Sequence, residues 1–171
     1  MAIVDTLDLE SLRLEAGESR QFDLQVRIAS LALGGQEYEV SPVPTPVRLD
    51  VTRMTGRGYS LRLRLTATLD GPCMRCLEPA TAEFTAQARE VYQPGEDEEL
   101  DSPYVDDAGL DVTAWANDTL VLALPTAILC KPDCLGLCPE CGENLNTAGP
   151  EHHHEAPIDP RWSKLSQLHL D

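Results

Sequence analysis

The segment Cys130-Lys-Pro-Asp-Cys134-Leu-Gly-Leu-Cys138-Pro-Glu-Cys141-Gly places four thiols within twelve residues. Four soft donors that can each come within about 2.3 Å of one ion make a tetrahedral zinc site, and short spacing keeps the loop-closure cost low. Within the run, Cys138-Pro-Glu-Cys141-Gly is a knuckle pattern: backbone N–H groups after the first cysteine can point at its sulfur, and Gly142 admits the tight turn. The expected ligands are therefore Cys130, Cys134, Cys138 and Cys141. Four protein thiolates leave no coordination position for water, so such a zinc is structural and not a Lewis-acid catalyst.

A second pair, Cys73-Met-Arg-Cys76, supplies only half a tetrahedral site. Three readings stay open for it. It could be a redox dithiol, although such chemistry favours a helix N-terminus and this pair follows the turn signal Asp70-Gly-Pro. It could join Cys138 and Cys141 as a two-knuckle ribbon that leaves Cys130 and Cys134 outside, or it could be a pair of small turn residues. The run Glu151-His-His-His154-Glu has adjacent rings that point in different directions, and it reads as a solvated loop.

Six cysteines are few for 171 residues, and the N-terminus lacks a basic stretch followed by an apolar run, so a reducing, cytoplasmic setting is expected. No apolar run approaches the roughly 20 residues of a membrane-spanning helix. The formal net charge of −16 opposes general nucleic-acid affinity. That average hides a separation. Arg48, Arg53, Arg57, Arg62, Arg64 and Arg75 face only Asp50 and Asp70 in their stretch, whereas Glu90 to Cys130 holds ten acidic residues and no Lys or Arg. No Gly-rich phosphate loop, nucleophile elbow or histidine beside a nucleophile is present, so the chain does not read as an enzyme.

Phe22, Leu24, Val26 and Ile28 alternate with polar residues, which predicts a half-buried strand. The proline-rich Ser41 to Pro46 predicts an extended edge or linker that separates two β-rich parts. Leu61 to Leu69 alternates cleanly, with Arg62 and Arg64 on the polar face, and Ala82 to Tyr92 reads as the returning strand of a hairpin with cysteines at its tip. Gln93 to Gly109 reads as an acidic loop. Asp111 or Thr113 caps a predicted helix to about Ala123, with Val112, Trp115, Thr119 and Leu122 on one side and Pro125 beyond. Asp159-Pro160 opens a second, short helix with Trp162, Leu165 and Leu168 as its stripe.

Leu122-Ala-Leu-Pro125, the run from Cys130 through Asn144-Leu-Asn146, the closing Asp159-Pro-Arg-Trp-Ser-Lys-Leu165 and the Cys73-Met-Arg-Cys76-Leu77 element together resemble the bacterial YceD-like family, the large ribosomal RNA subunit accumulation proteins. The resemblance implies a non-enzymatic part in accumulation of large-subunit ribosomal RNA. Some family members lack the C-terminal cysteines and keep the earlier pair, which implies that zinc shapes the C-terminal segment without carrying the shared function.

The expectation is thus an α+β chain: a mainly antiparallel sheet, two helices toward the C-terminus and a small Cys-rich zinc-binding segment. A β-rich domain would span 1–125 and the zinc segment 126–171. The expected partners are large-subunit precursor RNA, through Arg53, Arg57, Arg62, Arg64 and Arg75, and/or a basic ribosomal protein held by the acidic run, with no membrane and no small-molecule substrate. The alternative is a thiol-based redox enzyme or sensor using Cys73 and Cys76.

Overall fold

Strict alternation makes the spine of the fold. In the computed structural model, which describes residues 3–95 and 101–154, Leu61, Leu63, Leu65, Ala67 and Leu69 are all buried, and the even-numbered residues between them turn outward. This strand, Tyr59–Pro72, pairs antiparallel along its full length with Pro79–Tyr92, in register from Tyr59 opposite Tyr92 to Pro72 opposite Pro79. The expected hairpin is present, and Cys73 and Cys76 lie in the turn that closes it.

In chain order the strands are β1 (Thr6–Leu7), β2 (Ser19–Val26), β3 (Leu31–Leu33), β4 (Gln36–Ser41), β5 (Thr45–Arg53), β6 (Tyr59–Pro72), β7 (Pro79–Tyr92), β8 (Val105–Asp106) and β9 (Gly109–Asp111), followed by helix α1 (Val112–Ala123). A single 3-10 turn, Glu10–Leu12, follows β1. One edge of β6 takes β7. The other takes β5 along its first half, with β2 outside it, and β4 near its end, with β3 outside that. The prolines therefore do not separate two β-rich parts. Pro42 to Pro44 form a turn between β4 and β5, two strands of the same sheet, and Pro46 lies in β5 itself on the exposed face.

Part of the acidic run is also more ordered than its composition suggests. Glu96 to Glu99 lie outside the described residues, but β8 and β9 pair with each other, and β9 pairs with β1 from the start of the chain. Leu110 at this junction is fully buried. Gly109 makes the close approach possible, because a Cβ there would collide with the Leu7 carbonyl.

Helix α1 starts where expected. The Asp111 carboxylate accepts a hydrogen bond from the Ala114 N–H at 2.8 Å, and Leu124 turns to an extended conformation before Pro125. Its buried stripe is Val112, Trp115, Ala116, Thr119 and Leu120. Leu122 is not part of it and is 84% exposed, because the 3.6-residue period carries the stripe through positions 116 and 120 and past 122. The helix lies on β7 and β6, where Ala80, Ala82, Ala86 and Ala88 flank Phe84 on the inward face of β7. Among the described residues α1 is the only α-helix. The second expected helix, with Trp162, Leu165 and Leu168, lies outside them.

The hairpin tip is fixed from the side by β4. Tyr38 is fully buried, its hydroxyl donates to the Pro72 carbonyl at 2.7 Å, and its ring occupies the space a side chain on Gly71 would need. Gly71→Ala is therefore expected to displace the ring and lower stability by about 1–3 kcal/mol. Urea denaturation checks this: an unshifted midpoint would show that the ring can move aside without cost.

The chain divides into two compact units, Met1–Cys134 and Leu135–Asp171. The first contains the sheets and α1. In the second, among the described residues, turns and a single bridge between Leu137 and Asn144 replace regular structure.

Candidate metal centres

The β6–β7 turn is a six-residue frame built on backbone hydrogen bonds. The Cys73 N–H donates to the Glu78 carbonyl at 2.7 Å and the Leu77 N–H to the Cys73 carbonyl at 3.0 Å, with Leu77 in the left-handed region at φ 62°. The same frame recurs in the second unit. The Cys138 N–H donates to the Glu143 carbonyl and the Gly142 N–H to the Cys138 carbonyl, both at 2.8 Å, with Gly142 at φ 76°. Cys-Met-Arg-Cys-Leu-Glu and Cys-Pro-Glu-Cys-Gly-Glu are thus two copies of one knuckle, and only the second has the glycine that the backbone favours.

Each knuckle meets a different pair of donors. In the first unit the segment after α1 returns to the hairpin tip. The Met74 N–H donates to the Ile128 carbonyl at 2.9 Å, Ile128 is buried, and an Arg75 guanidinium N–H donates to the Cys134 carbonyl at 2.9 Å. These bonds bring Cys134 Sγ within 3.7 Å of Cys73 Sγ and Cys130 Sγ within 3.5 Å of Cys76 Sγ, and all four sulfurs lie within 4.8 Å of one another. Four sulfurs bound at about 2.3 Å to a common tetrahedral ion stand about 3.8 Å apart. The group could hold a metal ion.

In the second unit Cys138 and Cys141 face His152 and His154, again with all donor atoms within 4.8 Å. Cys141 Sγ is 3.8 Å from His152 Nε2, while His152 Nδ1 is held at 2.8 Å by a Glu143 carboxylate oxygen. His154 Nδ1 lies 3.5 Å from Glu140, and His153 instead turns its Nδ1 to the Glu151 carbonyl at 2.6 Å. The loop before them is closed by asparagines. Asn146 accepts from the Leu135 N–H at 3.0 Å, and Asn144 accepts from the Asn146 backbone and side-chain N–H groups at 3.0 and 2.8 Å.

The leading thiol of each knuckle is acidified. For Cys73 the largest influence is burial, which raises its pKa, but the N–H groups of Arg75, Cys130 and Cys76 together outweigh it and bring the thiol to about 6. For Cys138 the hydrogen bond with His152 leads, followed by the N–H groups of Cys141 and Glu140, and the thiol again falls to about 6.

The four-cysteine set expected from the sequence is therefore not the one assembled. Cys130 and Cys134 join Cys73 and Cys76, and Cys138 and Cys141 join two histidines, because a knuckle already fills its own turn and must find partners from another segment. The two-knuckle ribbon of Cys73, Cys76, Cys138 and Cys141 is likewise replaced. His152 and His154, which the sequence suggests as part of a solvated loop, are brought to Cys138 and Cys141 in a group that could hold a metal ion. The available signal was their i, i+2 spacing, which in extended chain puts both rings on one side.

The arginines divide in a similar way. Arg75 is committed to Cys134, Arg53 donates to the Arg57 and Gly56 carbonyls and lies 4.6 Å over the Tyr59 ring, and Arg57 reaches Glu10 at 3.4 Å. Arg62 and Arg64 do stand on the outward face of the sheet. Arg89, which the sequence reading did not single out, pairs in register with Arg62, and Arg48 with Arg64. Arg64 and Arg48 carry ion pairs to Asp50 at 2.6 Å and Asp23 at 3.0 Å, while Arg62 and Arg89 have no acidic partner among the described residues.

The family described as "Large ribosomal RNA subunit accumulation protein YceD" matches residues 61–169, a span that takes in all but the first two residues of the β6–β7 hairpin, both knuckles, and His152 and His154. The chain belongs to the YceD family. Among its relatives, an uncharacterised protein of Mycobacterium tuberculosis is 28% identical over 97% of this chain and 83% of its own length. A Zea mays protein described as large ribosomal RNA subunit accumulation protein YCED homolog 1, chloroplastic, is 30% identical over 79% of this chain and 58% of its own. The uncharacterised YlbN of Bacillus subtilis is 24% identical over 88% of each. No solved structure matches. Among the described residues no helix is long and apolar enough to cross a membrane.

Proposed function

We propose that this chain is a non-enzymatic factor supporting accumulation of large-subunit ribosomal RNA, and that it meets precursor RNA with the outward face of the β2-β5-β6-β7 sheet. The observation that carries the reading is the Arg62–Arg89 pair. It is two guanidiniums side by side, about 4.8 Å apart in strand spacing and inside the family-matching region, with no ion pair among the described residues, since Asp50 opposite Arg62 on β5 is engaged by Arg64 at 2.6 Å. Around them lie Ser60, Thr66, Thr85 and Gln87, which can bond phosphate and ribose hydroxyls, and no aromatic side chain turns outward on these strands. Without a stacking platform the contact is to backbone shape and charge, not to unstacked bases. A net charge of −16 opposes long-range attraction, so binding is local and sensitive to salt. Zinc held by Cys73, Cys76, Cys130 and Cys134 serves this function by fixing the hairpin tip.

Arg62→Ala with Arg89→Ala is expected to weaken binding to large-subunit precursor RNA at least tenfold and to flatten its salt dependence by a slope of roughly 1.4–1.8, the loss of two phosphate contacts. In cells lacking the wild-type chain, this variant is expected not to restore the ratio of large- to small-subunit ribosomal RNA. Unchanged affinity and slope refute the RNA face. If neutralising Glu96 to Glu99 instead releases a basic ribosomal protein and abolishes the accumulation phenotype, the chain acts through that protein.

The acidity of the Cys73 thiol does not single out redox chemistry, because it arises from the N–H groups that also prepare a metal ligand. The surrounding three thiols favour coordination over exchange.

A further inference from the structure

We infer that the second unit carries its own zinc ion, ligated by Cys138, Cys141, His152 and His154, and that this ion is what holds Leu135 to His154 in its folded form. The donor set is two thiols and two imidazoles converging within 4.8 Å, the composition of a closed tetrahedral N2S2 zinc site. The 3.8 Å between Cys141 Sγ and His152 Nε2 matches the roughly 3.6 Å expected between a sulfur and a nitrogen on one tetrahedral zinc. The surroundings are arranged for ligation as well. Glu143, the residue that closes the knuckle through its carbonyl, uses its carboxylate to hold His152 Nδ1, which leaves Nε2 directed at the thiols. Glu140, inside the knuckle, stands in the same relation to Nδ1 of His154.

The need for the ion follows from what the unit lacks. Among its described residues only Gly136 and Cys138 are buried, and the regular structure is a single bridge. Turns and asparagine hydrogen bonds alone do not offset the ordering entropy of some twenty residues at about 1–2 kcal/mol each for the backbone, so the segment folds with its metal or not at all. The site is also chemically distinct from the four-cysteine group. Two thiolates balance Zn²⁺, whereas four leave two negative charges, so the two ions are distinguishable by spectrum.

Native mass spectrometry of the full chain, expressed with zinc, tests the inference. The wild-type chain is expected to carry two zinc ions, His152→Ala with His154→Ala one, and His153→Ala two. Cys73→Ser is expected to lose the other ion, which separates failure of this inference from failure of the four-cysteine reading. Replacement by cobalt(II) gives a second readout independent of any variant: the wild-type spectrum should contain both an S4 and an N2S2 ligand-field pattern. A single zinc on the wild-type chain that the double histidine variant keeps, two on the double histidine variant, or a cobalt spectrum of S4 type alone overturns the inference.

Discussion

Cys73→Ser is expected to abolish one metal equivalent and to release the segment that returns from α1 to the hairpin tip. Structural zinc contributes on the order of 10–16 kcal/mol where a small domain depends on it entirely. Here the sheet has a core of its own, so the loss should be local and not global. The amides to watch are Cys73 and Met74, whose N–H groups bond to the Glu78 and Ile128 carbonyls. Hydrogen exchange at both is expected to accelerate by roughly two orders of magnitude or more, with the β5–β6 amides unchanged. Cys134→Ser should do the same, and combining the two should be no worse than either alone, because both empty the same site. The same experiment tests the redox reading: in the metal-loaded wild-type chain the four thiols should resist alkylation, and rapid modification of Cys73 would refute coordination. Additive losses, or full metal content in either variant, would equally show that Cys73 and Cys134 do not share an ion.

Trp115→Ala is the second large effect, with an expected loss of about 3–5 kcal/mol in urea unfolding. Trp115 is 1% exposed, and it stacks on Tyr104 with centroids 6.0 Å apart. The Tyr104 hydroxyl in turn donates to Asp118 one helical turn on, at 3.1 Å. Burial of Tyr104, with the Asp118 carboxylate beside it, raises its phenol above the usual value, so the bond persists as a donor through neutral pH. Truncating the indole therefore opens a cavity under α1 and removes the platform for the strand turn before it. Trp115→Phe should cost less than half as much. A loss under 1 kcal/mol for the alanine variant would mean that α1 is not part of the core.

Both elements in these predictions were legible in the sequence, for physical reasons that did not extend everywhere. β6 announced itself because nine consecutive residues alternate without a break, and α1 because Asp111 and Pro125 mark its ends. β8 and β9 did not, since two- and three-residue strands in an acidic run have no pattern of their own and owe their form to Thr6 and Leu7, more than a hundred residues earlier. The proline turn misled for a related reason: proline excludes a ladder bond but does not exclude a turn between strands of one sheet. At the metal groups, the thiols were legible and their grouping was not. Four cysteines in twelve residues suggest a local site, whereas Cys73 and Cys134 meet across 61 residues of chain. Arg75 was legible as a cation, yet its guanidinium spans to Cys134 and only the fold reveals that.

The spacing of the two halves of the first group has a consequence for synthesis. Cys76 leaves the ribosome 54 residues ahead of Cys130, an interval of roughly 3 to 11 seconds at ordinary elongation rates of about 5–20 residues per second. Throughout it the β6–β7 hairpin can close and present two bare thiols with no partners, the state most open to oxidation or to capture of a wrong metal. The second group has no such wait, because its cysteines and histidines all emerge within a span of 17 residues, Cys138 to His154. A nascent chain of this kind is most vulnerable midway through its own translation, and metal supply at that moment would decide how much of it matures.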